Sequence, residues 1–157
     1  VRDGLELAEE HKVPEVVRKF ISEHHGTTLA SYFYMKASSE AQAKDSRGPE
    51  EWDFRYEGPR PGSKETAIVM LADSTEAAAR AITKPTPART ESVVRRIIQE
   101  RLNDHQLDRS DLTLRELDVI ADAFTRVLAG IFHTRIEYPD KNAAKTTEGN
   151  EGASAER

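Results

Sequence analysis

Apolar side chains recur along this chain at three- and four-residue intervals, in segments separated by polar breaks rich in glycine and proline. That spacing puts them on one face of a helix, and six helices are predicted. Leu5, Leu7 and Ala8 mark the first, which stops before Pro14. Pro14 suits the first position of the second, where a missing N–H costs nothing. This second helix is expected to bury Val16, Val17, Phe20 and Ile21 and to end at His24, His25 and Gly26. Gly26 is suited to the left-handed conformation that closes many helices. A third helix, from about Thr28 to Lys44, carries Leu29, Tyr32, Phe33 and Met35. A fourth runs from Lys64 to Ile82, and Pro85 and Pro87 then interrupt the chain. A fifth, Thr90 to Asn103, gathers Val93, Val94, Ile97, Ile98 and Leu102 on one face. The sixth has the clearest start: Thr113 and Glu116 have capping-box spacing ahead of Leu117, Ile120, Phe124, Val127, Leu128 and Phe132. The fold class is all-α.

The breaks carry information of their own. Residues 45–63 hold three of the seven prolines and three of the eight glycines, so they form a long loop. Trp52, Phe54 and Tyr56 alternate there with Asp53 and Arg55, which predicts that the loop folds back onto the domain. Beyond Pro139 the only hydrophobic residues are alanines. Residues 1–139 are therefore expected to form the domain and residues 140–157 a disordered tail.

Composition narrows the function. Of 157 residues, 23 are Lys or Arg and 28 Asp or Glu, a net charge of −5, which lacks the basic excess of a nucleic-acid binder. Without a cysteine, disulfides, thiolate zinc sites and thiol nucleophiles are excluded. The longest apolar run, Ala67 to Ala72, is far short of the ~20 residues of a membrane helix. No signal-peptide pattern opens the chain. A chain that starts at Val1 is expected to be a portion of something longer.

Two places could carry chemistry. The first is the adjacent pair His24-His25 before Gly26-Thr27-Thr28. Neighbouring side chains on a helix diverge by roughly 100°, so both reach one centre only where the helix end meets a cavity. Equally, imidazoles there suit the negative end of the helix dipole. The second is Asp73, directly after the apolar run. A carboxylate in that position is expected to be partly buried, hence paired or metal-bound, although Asp73-Ser-Thr-Glu76 also has the spacing of an N-cap restarting a kinked helix. Other chemistries fall away: there is no Glu-x-x-His, no His-Glu-x-x-His and no Gly-x-Ser-x-Gly. Gly58-Pro-Arg-Pro-Gly62-Ser-Lys64 lacks the spacing and the N–H donors of a phosphate loop and is a rigid turn. His11, His105 and His133 have no partners nearby in sequence, and Arg95, Arg96 and Arg101 read as a solvated helix face.

The segments HHGTTL (24–29), FRYEGPRP (54–61) and IVMLADS (68–74), with related stretches over 85–117 and 128–139, resemble the C-terminal part of the HD domain of bacterial seven-transmembrane HD-domain proteins. Members of that family hydrolyse cyclic di-AMP to linear pApA. The resemblance implies a partial HD-domain helical bundle with two divalent metals, iron or manganese. His24 and His25 would bind one metal and Asp73 the other, and no catalytic residue beyond these ligands is assigned. Such a metal pair would activate water and stabilise the leaving 3′ oxygen. The family's first metal-binding His, its His-Asp dyad and a further His all precede a VRDG-like segment, which here is residues 1–4. The implied site is thus incomplete, and the chain alone is expected to bind metal weakly and to be inactive. The resemblance also implies a cytoplasmic domain on a membrane-anchored parent, with self-association through apolar faces left open on the second and fourth helices. Two alternatives stand: a non-catalytic helical interaction module, and an HD phosphohydrolase acting on another nucleotide.

Overall fold

In the computed structural model, which describes residues 1–133 with Phe132 and His133 by their backbone, six α-helices follow one another: α1 (Arg2–Glu10), α2 (Glu15–Glu23), α3 (Ser31–Ala43), α4 (Lys64–Arg80), α5 (Pro87–Asn103) and α6 (Leu114–His133). No strand forms among the described residues; a single bridge joins Leu29 and Arg55. The expected tail, residues 134–139 and the side chain of His133 lie outside the described residues.

The core lies between α4, α5 and α6. Met70 and Leu71 on α4, Val94 and Ile98 on α5, and Leu117, Ile120 and Leu128 on α6 are buried together. The buried positions of α4 (Ala67, Met70, Leu71, Thr75 and Ala79) continue at three- and four-residue steps straight past Asp73. That unbroken face explains why Asp73 does not restart a helix: α4 is continuous. Its start is a capping box between Ser63 and Thr66. α5 begins three residues earlier than predicted, because Pro87 occupies the first turn behind Thr86, whose side chain accepts from the Arg89 N–H. α6 starts at the predicted box, with the Glu116 carboxylate accepting from the Thr113 N–H (2.8 Å) and the Thr113 hydroxyl accepting from the Glu116 N–H (3.2 Å).

The N-terminal half is more loosely attached. α1 packs on α2, α2 on α4, and among the described elements α3 meets only the 3-10 turn Glu51–Phe54. α3 starts at Ser31, later than predicted, because Thr28–Ala30 is extended: Ala30 N–H donates to Phe54 O (2.8 Å) and Tyr56 N–H to Thr28 O (3.0 Å). The 45–63 loop does fold back, through Phe54, which meets Tyr34 edge-on, and Tyr56; Trp52 stays 72% exposed. The uncovered apolar side chains also differ in part from expectation. Val16 and Val17, expected to be buried, are exposed, because α2 reaches only α1 and α4 among the described elements; the larger exposed group is Tyr32, Phe33 and Met35 on α3, while α4 is mostly enclosed.

Candidate functional site

α2 ends at His24, and the turn that follows is shaped by Gly26, whose φ of +53° is left-handed. The His24 Nδ1 lies 2.9 Å from Ile21 O and 3.1 Å from Phe20 O. Both partners are acceptors, so Nδ1 is the donor, and Nε2 makes no bond to backbone. This satisfies the last carbonyls of α2, as the dipole argument anticipates. It is equally the arrangement of a metal-ligating imidazole whose far nitrogen is tied to backbone.

His25 is the centre of the cluster. Its ring lies 4.0 Å from that of His24 and stacks on Tyr56 at 4.3 Å. Its Nδ1 is 3.7 Å from Oδ2 of Asp73, at the middle of α4. Burial first, then the neighbouring His24, hold the His25 imidazole below its usual value, while Asp73 pulls the other way. At neutral pH the ring is therefore uncharged, and its contact with Asp73 is not an ion pair. A neutral imidazole is the form that binds metal. The Asp73 side chain is 49% exposed, less enclosed than the apolar run before it suggests.

The histidine turn is held from several sides. Gln106, in the loop after α5, is wholly buried. Its Oε1 accepts from the Thr27 N–H (2.9 Å), and its Nε2 donates to Thr27 Oγ1 (2.9 Å) and Asp104 Oδ2 (3.0 Å). Arg55 donates to Thr27 O (2.9 Å) and pairs with Asp104, and Arg60 donates to Thr27 Oγ1 (3.2 Å). A Cβ on Gly26 would sit 2.5 Å from Gln106 Oε1 and 2.6 Å from Met70 Cε, so either buried side chain would have to shift to admit it. Beside this turn, Val1, Arg2, Leu5, Gly26, Arg55, Tyr56, Glu57 and Gly58 line an open cleft of about 550 Å³.

Sequence patterning missed Gln106 and misplaced Arg101. Arg95 and Arg96 do form surface ion pairs, but Arg101 turns inward and donates from Nε to Ser74 Oγ (3.2 Å). His11 is exposed, and His105 pairs with Asp108 in its own loop, 3.2 Å away. The structure thus brings His25 to Asp73, with the His24 ring beside that of His25. Among the described residues, no group of three or more His, Asp or Glu side chains closes around a point that could hold a metal. Nor is any helix there long and apolar enough to cross a membrane.

No family model matches the chain. Cyclic-di-AMP phosphodiesterase PgpH of Bacillus subtilis is 46% identical over 138 residues, which is 88% of this chain and 19% of that protein. PgpH of Listeria monocytogenes is 40% identical over 139 residues, again 88% of the chain and 19% of the relative. The chain thus spans about a fifth of the length of these relatives. The crystal structure of the L. monocytogenes PgpH HD domain in complex with cyclic di-AMP superposes with a TM-score of 0.75 at 38% identity, covering 83% of this chain and 58% of that one. By sequence and by fold together, the chain matches part of the HD domain of the PgpH family.

Proposed function

We infer that this chain is part of the HD domain of a metal-dependent phosphodiesterase that hydrolyses cyclic di-AMP to pApA, and that it contributes His24, His25 and Asp73 to a site for two divalent ions, iron or manganese. The observation that carries this is the approach of His25, in the turn after α2, to Asp73 on α4 at 3.7 Å, in a chain whose solved relative holds cyclic di-AMP. The donors fit the group: imidazole and carboxylate suit iron and manganese, and the bonds made by the His24 Nδ1 leave Nε2 as the nitrogen free to ligate. When bound, the ions supply Lewis-acid stabilisation of charge developing on the phosphodiester. The chain's own part is to hold the ligands: the Gln106–Thr27–Arg55 network fixes the histidine turn, and α4 fixes Asp73. The remaining ligands belong to the rest of the domain, residues 1–139 being this chain's share of it and 140–157 lying outside. On this reading the parent is a membrane protein that carries this domain on its cytoplasmic side.

The test is hydrolysis of cyclic di-AMP with added Mn²⁺, by this chain and by the full-length protein that contains it. Activity is expected in the full-length protein only, lost in His24→Ala and Asp73→Ala. Brisk turnover by the chain alone would overturn the division of ligands. A full-length protein that folds and binds metal yet leaves cyclic di-AMP intact would favour a non-catalytic interaction module, the reading supported by the exposed Tyr32, Phe33 and Met35.

A further inference from the structure

The half-buried cations are held in different ways: Arg60 donates to the Thr27 hydroxyl, and the Arg18 Nε meets no acceptor among the described residues. Arg55 is engaged by Asp104 and Glu51, and Lys64 by Glu116. Arg101 is more deeply enclosed, and burial lowers its pKa, yet its protein hydrogen bond is to a neutral group, the Ser74 hydroxyl. Among the described residues no carboxylate stands within ion-pair contact of it, and its terminal Nη groups meet no protein acceptor. Glu100, Asp104 and Asp73 act on it only from a distance, so a partly buried guanidinium with unused N–H donors is left able to take an anion in direct contact.

Its location says which anion. Ser74 follows Asp73 on α4, and the Arg101 charge acts on both Asp73 and His25. The bond to Ser74 sets the guanidinium against the turn of α4 that carries Asp73. A phosphodiester carries a single negative charge spread over its non-bridging oxygens, a planar acceptor edge that a guanidinium fork matches better than an ammonium point charge does.

We propose that Arg101 binds the non-bridging oxygens of the scissile phosphodiester, with Ser74 setting the plane of the guanidinium; the inference rests on the phosphodiesterase reading above. Arg101 is then a substrate-binding residue indifferent to the base, whereas Ser74 is a positioning residue that acts through it.

The variants Arg101→Gln, Arg101→Lys and Ser74→Ala are compared in the metal-loaded full-length protein, with metal content measured on the same samples. Two substrates are used: cyclic di-AMP, and bis(4-nitrophenyl) phosphate, which offers a phosphodiester without adenine. Arg101→Gln is expected to lower kcat/KM by about 100-fold on both substrates, the size of effect seen when one preorganised donor is removed, with metal content unchanged. Arg101→Lys keeps the fold and the charge and is expected to recover part of that loss, and Ser74→Ala to lose less than Arg101→Gln. Unchanged kinetics would overturn the proposal. Metal loss in step with activity would do so too, making Arg101 a counter-charge for Asp73, and a loss confined to cyclic di-AMP would point to a base contact instead. If the parent cleaves bis(4-nitrophenyl) phosphate but not cyclic di-AMP, the substrate reading fails while the variants still decide the role of Arg101. Cleavage of neither sinks both.

Discussion

Replacing Gly26 by alanine should damage this domain far more than one methyl group ordinarily does. The backbone there has φ of +53°, which costs an L-residue about 1–2 kcal/mol. The new Cβ would stand 2.5 Å from Gln106 Oε1, the atom that accepts the Thr27 N–H. Displacing that oxygen leaves a buried donor unpartnered, a loss of about 1–3 kcal/mol. It would also stand 2.6 Å from Cε of the fully buried Met70, and overpacking of that kind costs about 1–3 kcal/mol. One backbone shift relieves part of both clashes, so the terms do not add in full; a net loss of about 3–4 kcal/mol is expected, within the range set by those components. Urea unfolding followed by circular dichroism measures it. Gly48→Ala is the control: no atom lies within 4 Å of its Cβ position, and the change should stay within about 0.5 kcal/mol. A Gly26→Ala loss below about 1 kcal/mol would refute the claim that the histidine turn is clamped between Gln106 and Met70.

Three further outcomes follow from the same structure. Gln106→Leu removes the partner of the Thr27 N–H and should cost about 1–3 kcal/mol in the same urea assay; a neutral result would show that the turn does not depend on the buried amide. Glu116 is held at about 2 by Lys64 first, then by the Thr113 N–H and hydroxyl, against an ordinary 4.5. Because the folded value is the lower one, its contribution is full above the ordinary value and lost as pH falls toward 2. Glu116→Gln should therefore flatten the melting temperature across that interval, and an unchanged slope refutes the assignment. The chain alone is expected to self-associate through Val16, Tyr32, Phe33 and Met35; the double change Tyr32→Glu and Phe33→Glu should restore a monomer in light scattering, and a wild-type chain that is monomeric at every concentration excludes the idea.

The order of the helices was legible because apolar residues recur at helical spacing between Gly- and Pro-rich breaks, although only α1, α4, α5 and α6 bury residues on that face, and the Thr113–Glu116 box is local chemistry that needs no partner elsewhere. Asp73 shows the limit of a local motif. Its N-cap spacing competes with a buried face continuing to Thr75 and Ala79, and the face wins because packing along all of α4 outweighs one cap. Pro87 shows the same in reverse: after Thr86 a proline opens a helix rather than ending one. Gln106 was invisible for another reason. A polar residue between Asp104 and Leu107 looks solvated, and it becomes buried only because Thr27, distant in sequence, is laid against it. Arg101 is similar, since nothing next to it in sequence announces Ser74.

The histidines and Asp73 sit on parts of the molecule that differ in how firmly they are held. α2 contains no buried residue and reaches the rest through α4 and α1, whereas α4 stands in the core with α5 and α6. Amide hydrogen exchange should therefore be fastest to open α1 and α2 and slowest in α4–α6, with the seam running between His25 and Asp73. Any ion ligated across that seam works as a fastener. Its apparent affinity is reduced by the fraction of time α2 spends undocked, and its arrival should slow exchange in α2 while leaving the three core helices unchanged. The occupancy of the site and the docking of the chain's first quarter would then be one equilibrium, observed from two ends.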